Sequence, residues 1–364
     1  MKILTINCGS SSIKYKFYSF PKGESLSAGL IEHIGEGHSN LTDHAQAMKV
    51  VFDNLFKARA ITSIGEIEAI GHRVVHGAET FWQPHRITPA VINKIKECSK
   101  FAPLHNPANL EGIKACTQAL PRVAQVAVFD TAFHHSIPEY AYMYAVPFEY
   151  YRRDGIRKYG FHGTSHQFVA QQASRILGKP LGKLNLITCH LGNGCSITAI
   201  QQGRSIDTSM GFTPLEGLIM GTRSGDIDAA AVLYLMEKNG LAPREIDQIL
   251  NKKSGLLGIS GISNDMREIK KGVKKGSRRA RLALDMFLYR IVKYIGAYWF
   301  ILGGADAVCF TAGIGEHNPD FIARIKKQLA GVVKKTTKFL VVPTNEEQMI
   351  GLLTYNLIKS KKRA

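Results

Sequence analysis

Four residues able to carry or stabilise charge sit where glycine-framed loops follow apolar runs. Arg73 lies in Gly71-His72-Arg73-Val74-Val75-His76-Gly77, and Asp130 ends the apolar run 123–129. His162 lies in Tyr159-Gly160-Phe161-His162-Gly163-Thr164-Ser165-His166, and Arg223 in Gly221-Thr222-Arg223-Ser224-Gly225-Asp226. Two arginines, a histidine and an aspartate suit an anionic transition state, because fixed cations and donors stabilise charge as it develops. Two more stretches have the grammar of phosphate holders: Asn7-Cys8-Gly9-Ser10-Ser11-Ser12-Ile13-Lys14 and His190-Leu191-Gly192-Asn193-Gly194-Cys195-Ser196. In each, glycine lets the backbone approach an anion while turn N–H groups and hydroxyls, those of Ser10 and Ser12 in the first, supply convergent donors. Two matched copies half a chain apart predict a duplicated domain holding a polyphosphate. No Walker A pattern occurs and no strand runs into a full GxGxxG, which excludes the P-loop and dinucleotide-fold readings.

The elements that must position these residues follow from periodicity. Apolar, β-branched runs at 3–6, 13–17, 69–75 and 123–129 predict strands, and the patterns at 43–57 and 89–101 predict helices between them, an α/β domain. The second half repeats this: strands at 185–189 and 197–200, helices at 226–239, 243–252 and 278–301, a strand at 307–311, a strand at 339–342 and a closing helix expected to pack on the first domain. Thr164 and Gln167 fit a capping box opening a helix at 165–177. In open α/β sheets ligands sit at the carboxyl ends of strands, where Arg73 and Asp130 fall. The aromatic and basic stretch 140–153 reads as a link, giving one domain of 1–134 plus 348–364 and another of 135–347.

With 364 residues, 45% of them hydrophobic, the chain can build two cores, and a charged fraction of 21% argues against disorder. Six cysteines without a CxxC pair favour reduced thiols in a cytoplasmic protein, and no secretory leader is expected at the start. The apolar stretch 294–305 is shorter than the ~20 residues a bilayer needs, so it reads as a buried helix and no membrane partner is expected. The net charge of +18 is carried partly by runs at 270–281 and 359–363. No aromatic residues interleave with them, so a solvated basic face that attracts anionic substrates is favoured over a nucleic-acid surface.

The first loop and the Tyr159–His166 motif, with further matches at 71–77, 129–133, 190–194, 210–226, 310–316 and 343–347, make the chain resemble the acetokinase family of the sugar-kinase, Hsp70 and actin superfamily. The resemblance implies a duplicated ASKHA fold (actin-like ATPase, RNase H-like), with two domains and a nucleotide cleft between them. It implies reversible transfer of the ATP γ-phosphoryl group to acetate, giving acetyl phosphate and ADP, with Mg2+ (or Mn2+) as cofactor and a homodimer running through the second domain. Carried over residue by residue, Asn7 and Glu346 would position the metal, and Asp130, His162 and Arg223 would be catalytic. Arg73 would bind the acyl group, with Val75, Leu104, Phe161 and Pro214 around its methyl. ATP would meet Ser10, Ser12, Lys14, His190, Leu191, Gly192, Asn193 and Gly194, with Asp265, Met266, Arg267, Gly313, Ile314, Gly315, Glu316 and His317 at the adenosine.

The chain departs from the family pattern at His317 (usually Asn), at Ala229 (usually Pro) and in a shorter stretch between Leu329 and Leu340. A carboxylate acceptor is already ionised at neutral pH, so Asp130 is expected to orient other groups rather than remove a proton. Two alternatives stand beside the leading reading: a propionate or other short-chain acyl kinase on the same fold, and a non-catalytic nucleotide-dependent binding protein.

Overall fold

The computed structural model describes residues 1–37, 41–103 and 105–360. The backbone forms two compact units. One comprises Met1–His135, Gly163–Ser165 and Asn345–Ala364; the other comprises Ser136–His162 and His166–Thr344. Besides a one-residue shift at His135, the segments 163–165 and 345–347 fall in the first unit rather than the second, and local bonding accompanies both. The Gly163 N–H and the Thr164 hydroxyl both donate to Asp130, and the Glu347 carboxylate pairs with Lys14, so both segments group with the first unit.

In the first unit, β1 (Lys2–Cys8), β2 (Ile13–Ser19) and β3 (Glu24–Ile31) form an antiparallel meander. β4 (Ala69–Val74), the short β5 (His85–Arg86) and β6 (Ala124–Phe129) complete a sheet of order β3-β2-β1-β4-β6-β5, in which β1, β4 and β6 are parallel. Ile3, Leu4, Thr5 and Ile6 are all buried, as expected of a central strand covered on both faces. Leu4 and Ile6 pack with Met48, Val51 and Leu55 of the helix His44–Lys57 and with Cys116 of the helix Asn106–Ala119. On the other face Ile3 and Tyr18 pack with Leu352 and Tyr355 of the closing helix Glu346–Ser360.

The second unit repeats the plan. β7 (Asn185–Leu191), β8 (Cys195–Gln201) and β9 (Arg204–Thr208) form the meander, and β10 (Ala307–Thr311) and β11 (Lys338–Val341) run parallel to β7, in the order β11-β10-β7-β8-β9. Apart from β5, the two sheets share one strand order. The helix Arg278–Ile301 is capped by the Ser277 hydroxyl, which accepts from the Ala280 N–H, and buries Leu284, Phe287, Leu288, Ile291 and Ile295 along one face. Among the described residues no helix is long and apolar enough to cross a membrane.

Two local readings change. The helix expected from Asp226 begins at Ala229 with Asp228 as its cap. The Asp226 carboxylate instead accepts from the Gly217 N–H at 2.8 Å, Arg290 Nη1 at 2.7 Å and the Tyr294 hydroxyl. The capping box at Thr164 is also absent. The helix Gly163–Leu177 starts after His162, which is in the left-handed region with φ 57° and makes no side-chain cap.

Candidate active site

In the first unit the carboxyl ends of three parallel strands bring Asn7, Arg73 and Asp130 together. Arg73 Nε and Nη2 donate to Asp130 Oδ2 at 3.0 and 2.5 Å, and Nη1 donates to Asn7 Oδ1 at 3.3 Å. Asp130 is fully buried, and its other oxygen accepts from Thr164 Oγ1 at 3.2 Å. Burial alone would lower the Arg73 pKa, but Asp130 first and then Glu346 and Glu347 hold it above the ordinary guanidinium value. The Gly163 N–H meets the Asp130 carbonyl at 3.0 Å, and a Cβ at position 163 would run into that oxygen, so this approach needs glycine.

The strand ends are themselves pinned by two buried asparagines that the sequence reading missed. Asn109 Nδ2 donates to the Cys8 carbonyl at 2.8 Å while its Oδ1 accepts from the Val75 N–H at 3.1 Å, tying the end of β1 to the end of β4. Asn106 brackets His76 in the same way, accepting from its N–H and donating to its carbonyl, both at 3.0 Å. The signal available in the sequence was Asn106-Pro107-Ala108-Asn109, two amides three apart at a helix start, where they share a face.

Glu346 and Glu347 open the closing helix. Burial would raise the Glu347 pKa, yet Lys14 Nζ at 2.5 Å and Lys16 Nζ at 3.4 Å hold it below the usual carboxylate range. Lys14, expected at a phosphate, is thus an ion partner of Glu347, a residue the sequence reading did not single out. Glu346 Oε1 is buried without a hydrogen-bond partner, and burial raises this carboxyl, with Arg73 opposing and Asp130 and Glu347 adding to the rise. No three His, Cys, Asp or Glu side chains form a metal-holding group among the described residues. An orphaned carboxylate oxygen and the Asn7 amide oxygen, both adjoining Arg73, are nonetheless hard donors that fit Mg2+, which keeps most of its waters and takes only one or two protein carboxylates.

The second unit gathers His162, His166, His190 and Arg223. The left-handed backbone at His162, an unusual state for a side-chain-bearing residue, sends Nδ1 to Ser196 Oγ at 2.9 Å. The same hydroxyl lies 2.7 Å from His166 Nε2, whose Nδ1 is 2.7 Å from Thr188 Oγ1. The His162 ring stacks on that of His190, with centroids 4.2 Å apart. In the loop that follows, the Gly192 N–H donates to the Gly194 carbonyl at 3.1 Å, and Asn193 accepts from the Gly221 N–H through its carbonyl and from Asn264 Nδ2 through Oδ1. A Cβ placed on Gly194 would lie 3.4 Å from His162 Nε2 and 3.5 Å from Arg223 Nη1, which measures how closely loop, imidazole and guanidinium converge.

Arg223 Nη1 donates to the Pro214 carbonyl at 3.1 Å and to Met220 Sδ. Among the described residues it has no ion pair, and burial lowers its pKa. A half-buried guanidinium without a counter-ion would be stabilised by an anion brought against it.

Other sequence-derived candidates are held by their own surroundings. Ser12 closes the first turn through its carbonyl, 2.8 Å from the Gly9 N–H, and Ser10 is exposed. Leu191 is buried at the end of β7. Asp265 caps the helix Met266–Lys274, which buries Met266, and pairs with Arg267 at 2.6 Å. Gly313, Ile314, Gly315, Glu316 and His317 form the short helix Ala312–His317 after β10, where Glu316 Oε1 accepts from the Ala312 and Thr344 N–H groups. Val75 is buried in the first unit, Phe161 is buried and Pro214 half-buried in the second, and Leu104 lies outside the described residues.

Two sheets of one strand order, each ending its parallel strands in polar loops, define a duplicated fold of the ASKHA class. A putative N-acetylmannosamine kinase from Listeria monocytogenes, 13% identical with a TM-score of 0.51 over 99% of this chain and 100% of its own, shares the fold alone. The Acetokinase family model matches residues 2–337, and the chain belongs to that family. Among its relatives, the acetate kinase of Thermoanaerobacterium thermosaccharolyticum is 49% identical over 100% of both chains, and that of Halothermothrix orenii is 46% identical over 99% of this chain and 100% of its own. Two solved structures superpose with TM-scores of 0.92, each 42% identical over 98% of this chain and 99% of the other: an acetate kinase from Porphyromonas gingivalis and a propionate kinase from Francisella tularensis.

Proposed function

We propose that this chain is an acetate kinase that reversibly transfers the γ-phosphoryl group of ATP to acetate, giving acetyl phosphate and ADP by direct in-line displacement. Family membership supports the reaction class. The observation that carries the residue roles is Arg223, a guanidinium without a carboxylate partner among the described residues, converging with His162 on the Gly192–Gly194 loop. These groups suit the charge on a phosphoryl group in flight.

An acetate oxygen forms the new bond to the γ-phosphorus as the bond to the β,γ-bridging oxygen breaks, and no proton moves. Asp130 therefore has no proton to take. Its Oδ2 accepts twice from Arg73 and its Oδ1 once from Thr164, so its work is to hold Arg73. Arg73 in turn receives the acceptor carboxylate. Glu346 and Asn7 would hold Mg2+, or Mn2+ in its place, and the bound ion would supply charge neutralisation on the phosphate oxygens. Gly313–His317 and Asp265–Arg267 would take the adenosine, and Lys14 would turn from Glu347 towards phosphate. A coupled assay with acetate, ATP and Mg2+ tests the reading. Failure to form an acyl phosphate with any short carboxylate overturns it.

The propionate kinase neighbour keeps a second reading in play. One methylene is worth about 1–3 kcal/mol in a fitted apolar pocket. Acetate is the expected preference, with propionate slower. Val75→Ala should raise kcat/KM for propionate relative to acetate up to ~10-fold; an unchanged ratio removes Val75 from the acyl site.

A homodimer formed through the second unit is also proposed. The helix Ala229–Asn239 buries none of its residues although it carries Leu233, 66% exposed, and Tyr234, and Leu282, Met286 and Tyr289 are exposed on the helix Arg278–Ile301. Apolar faces of this kind are usually covered by a partner. Light scattering should give twice the chain mass. Free, buried cysteines fit a reducing cytoplasm.

A further inference from the structure

The reaction uses the carboxyl ends of the parallel strands, but the second unit also carries a cavity at their amino ends. A space of about 500 Å³ is lined by Lys179, Asn185, Gly304, Asp306, Lys334 and Lys338, among others. Asn185 opens β7 and Lys338 opens β11, while Asp306 immediately precedes β10. His190 and the loop after it lie at the far end of β7, roughly 17 Å away at ~3.3 Å per residue. The cavity is therefore separate from the Arg223 site. Its volume is in the range of small-molecule sites, roughly 300–1,000 Å³.

Its chemistry is cationic. Three lysines face one acid, and that acid is already engaged. Asp306 Oδ2 accepts from the Asn185 N–H at 3.0 Å and Oδ1 lies 3.5 Å from Lys179 Nζ. Neither Lys334 nor Lys338 is in an ion pair among the described residues. Thr336 lines the same space. Two backbone donors of the lining are already engaged, the Gly304 N–H by the Trp299 carbonyl and the Lys338 N–H by the Asp306 carbonyl. Lys334, Lys338 and Thr336 are the lining side chains that can meet an anion. Gly304 sits between the indole and a lysine: a Cβ there would lie 3.6 Å from the Trp299 ring and 3.9 Å from Lys334 Nζ.

We propose that this cavity is a second anion site, built for a compact ligand with two or more negative charges, such as a small metabolite bearing phosphates or several carboxylates. Two ammonium groups lining one cavity, without a counter-ion among the described residues, favour such a ligand over a monovalent one, because a second negative charge lets both be neutralised.

The test exploits Trp299, whose ring lies behind Gly304 in the cavity lining. The chain has two tryptophans, so Trp82→Phe leaves Trp299 as the single indole. In that background, without Mg2+ and at constant ionic strength set with chloride, inorganic pyrophosphate and citrate are titrated separately, with calorimetry in parallel. Pyrophosphate stands for the phosphate-bearing class and citrate for the carboxylate class. We expect saturable binding of at least one, weakened tenfold or more by Lys334→Ser with Lys338→Ser and unchanged by Arg223→Met. Equal affinity in the double lysine variant, loss of binding in Arg223→Met, or no saturable binding of either anion overturns the proposal. A thermal melt of each variant shows that it is folded.

Discussion

Arg73 and Arg223 are both largely withdrawn from water, one in each unit, yet their electrostatic states are opposite. Arg73 is paired: three of its donors are taken by Asp130 and Asn7, and its pKa is held up against burial. Arg223 has no ion pair among the described residues: it donates to a carbonyl and a thioether, and burial pulls its pKa down. A buried cation with its counter-ion stabilises only while both partners remain, whereas one without a counter-ion costs the fold something until an anion arrives. The first arrangement is a pre-set frame. The second leaves a charge unneutralised among the described residues.

The sharpest way to break this contrast is to remove each charge alone. Arg73→Leu leaves the Asp130 carboxylate buried and unpaired, so a loss of about 3–5 kcal/mol in denaturant-measured stability is expected. Adding Asp130→Leu should restore much of that stability while leaving the enzyme inactive. If the double variant is no more stable than the single one, the pair is not the source of the cost.

Arg223→Met should behave in reverse. We expect kcat to fall by about 10²–10³, with a melting temperature unchanged or slightly higher, because an uncompensated charge has been removed from a site that disfavours it. A drop in melting temperature comparable to that of Arg73→Leu would show that Arg223 is structural and dissolve the comparison.

The smallest effect separates protonation from pairing. His72 is buried on β4 with Nε2 2.7 Å from Gln125 Oε1, and burial pushes its pKa down to about 4, with the Gln125 bond opposing. Because the folded pKa lies below the ordinary value of 6.5, the unfolded chain binds the proton first as the pH falls. Stability is therefore full above about pH 6.5 and declines towards pH 4, by at most about 1.4 kcal/mol per pH unit from this residue. His72→Gln should flatten that slope in urea titrations between pH 6.5 and 4. An unaltered slope would assign the acid sensitivity elsewhere, with His76, depressed to about 3 by burial, the next residue to test.

Much of this molecule is legible in its sequence because the informative patterns are local. The strand 307–311 and the helices 243–252 and 278–301 coincide with the observed elements, since each is a periodic run bounded by a cap, a glycine or a proline. The two glycine loops announced the duplication for the same reason. The reading failed where a local rule competed with a distant partner. Thr164 has the sequence of a capping residue, but its hydroxyl serves Asp130, 34 positions earlier. Asp226 looked like the start of a helix, yet it anchors Arg290 and Tyr294, more than sixty positions later.

The sequence by itself determined the fold class, the strand ends at which polar loops emerge, and the residue types available there. Only the tertiary structure decided which charges are neutralised: that Asp130 satisfies Arg73, that Glu347 takes Lys14, and that among the described residues Glu346 keeps an orphaned oxygen and Arg223 has no counter-ion. The physical reason is that periodicity and turn chemistry act over a few residues. The pairing of buried charges depends on distances of a few ångströms between segments that may be tens or hundreds of residues apart in the chain.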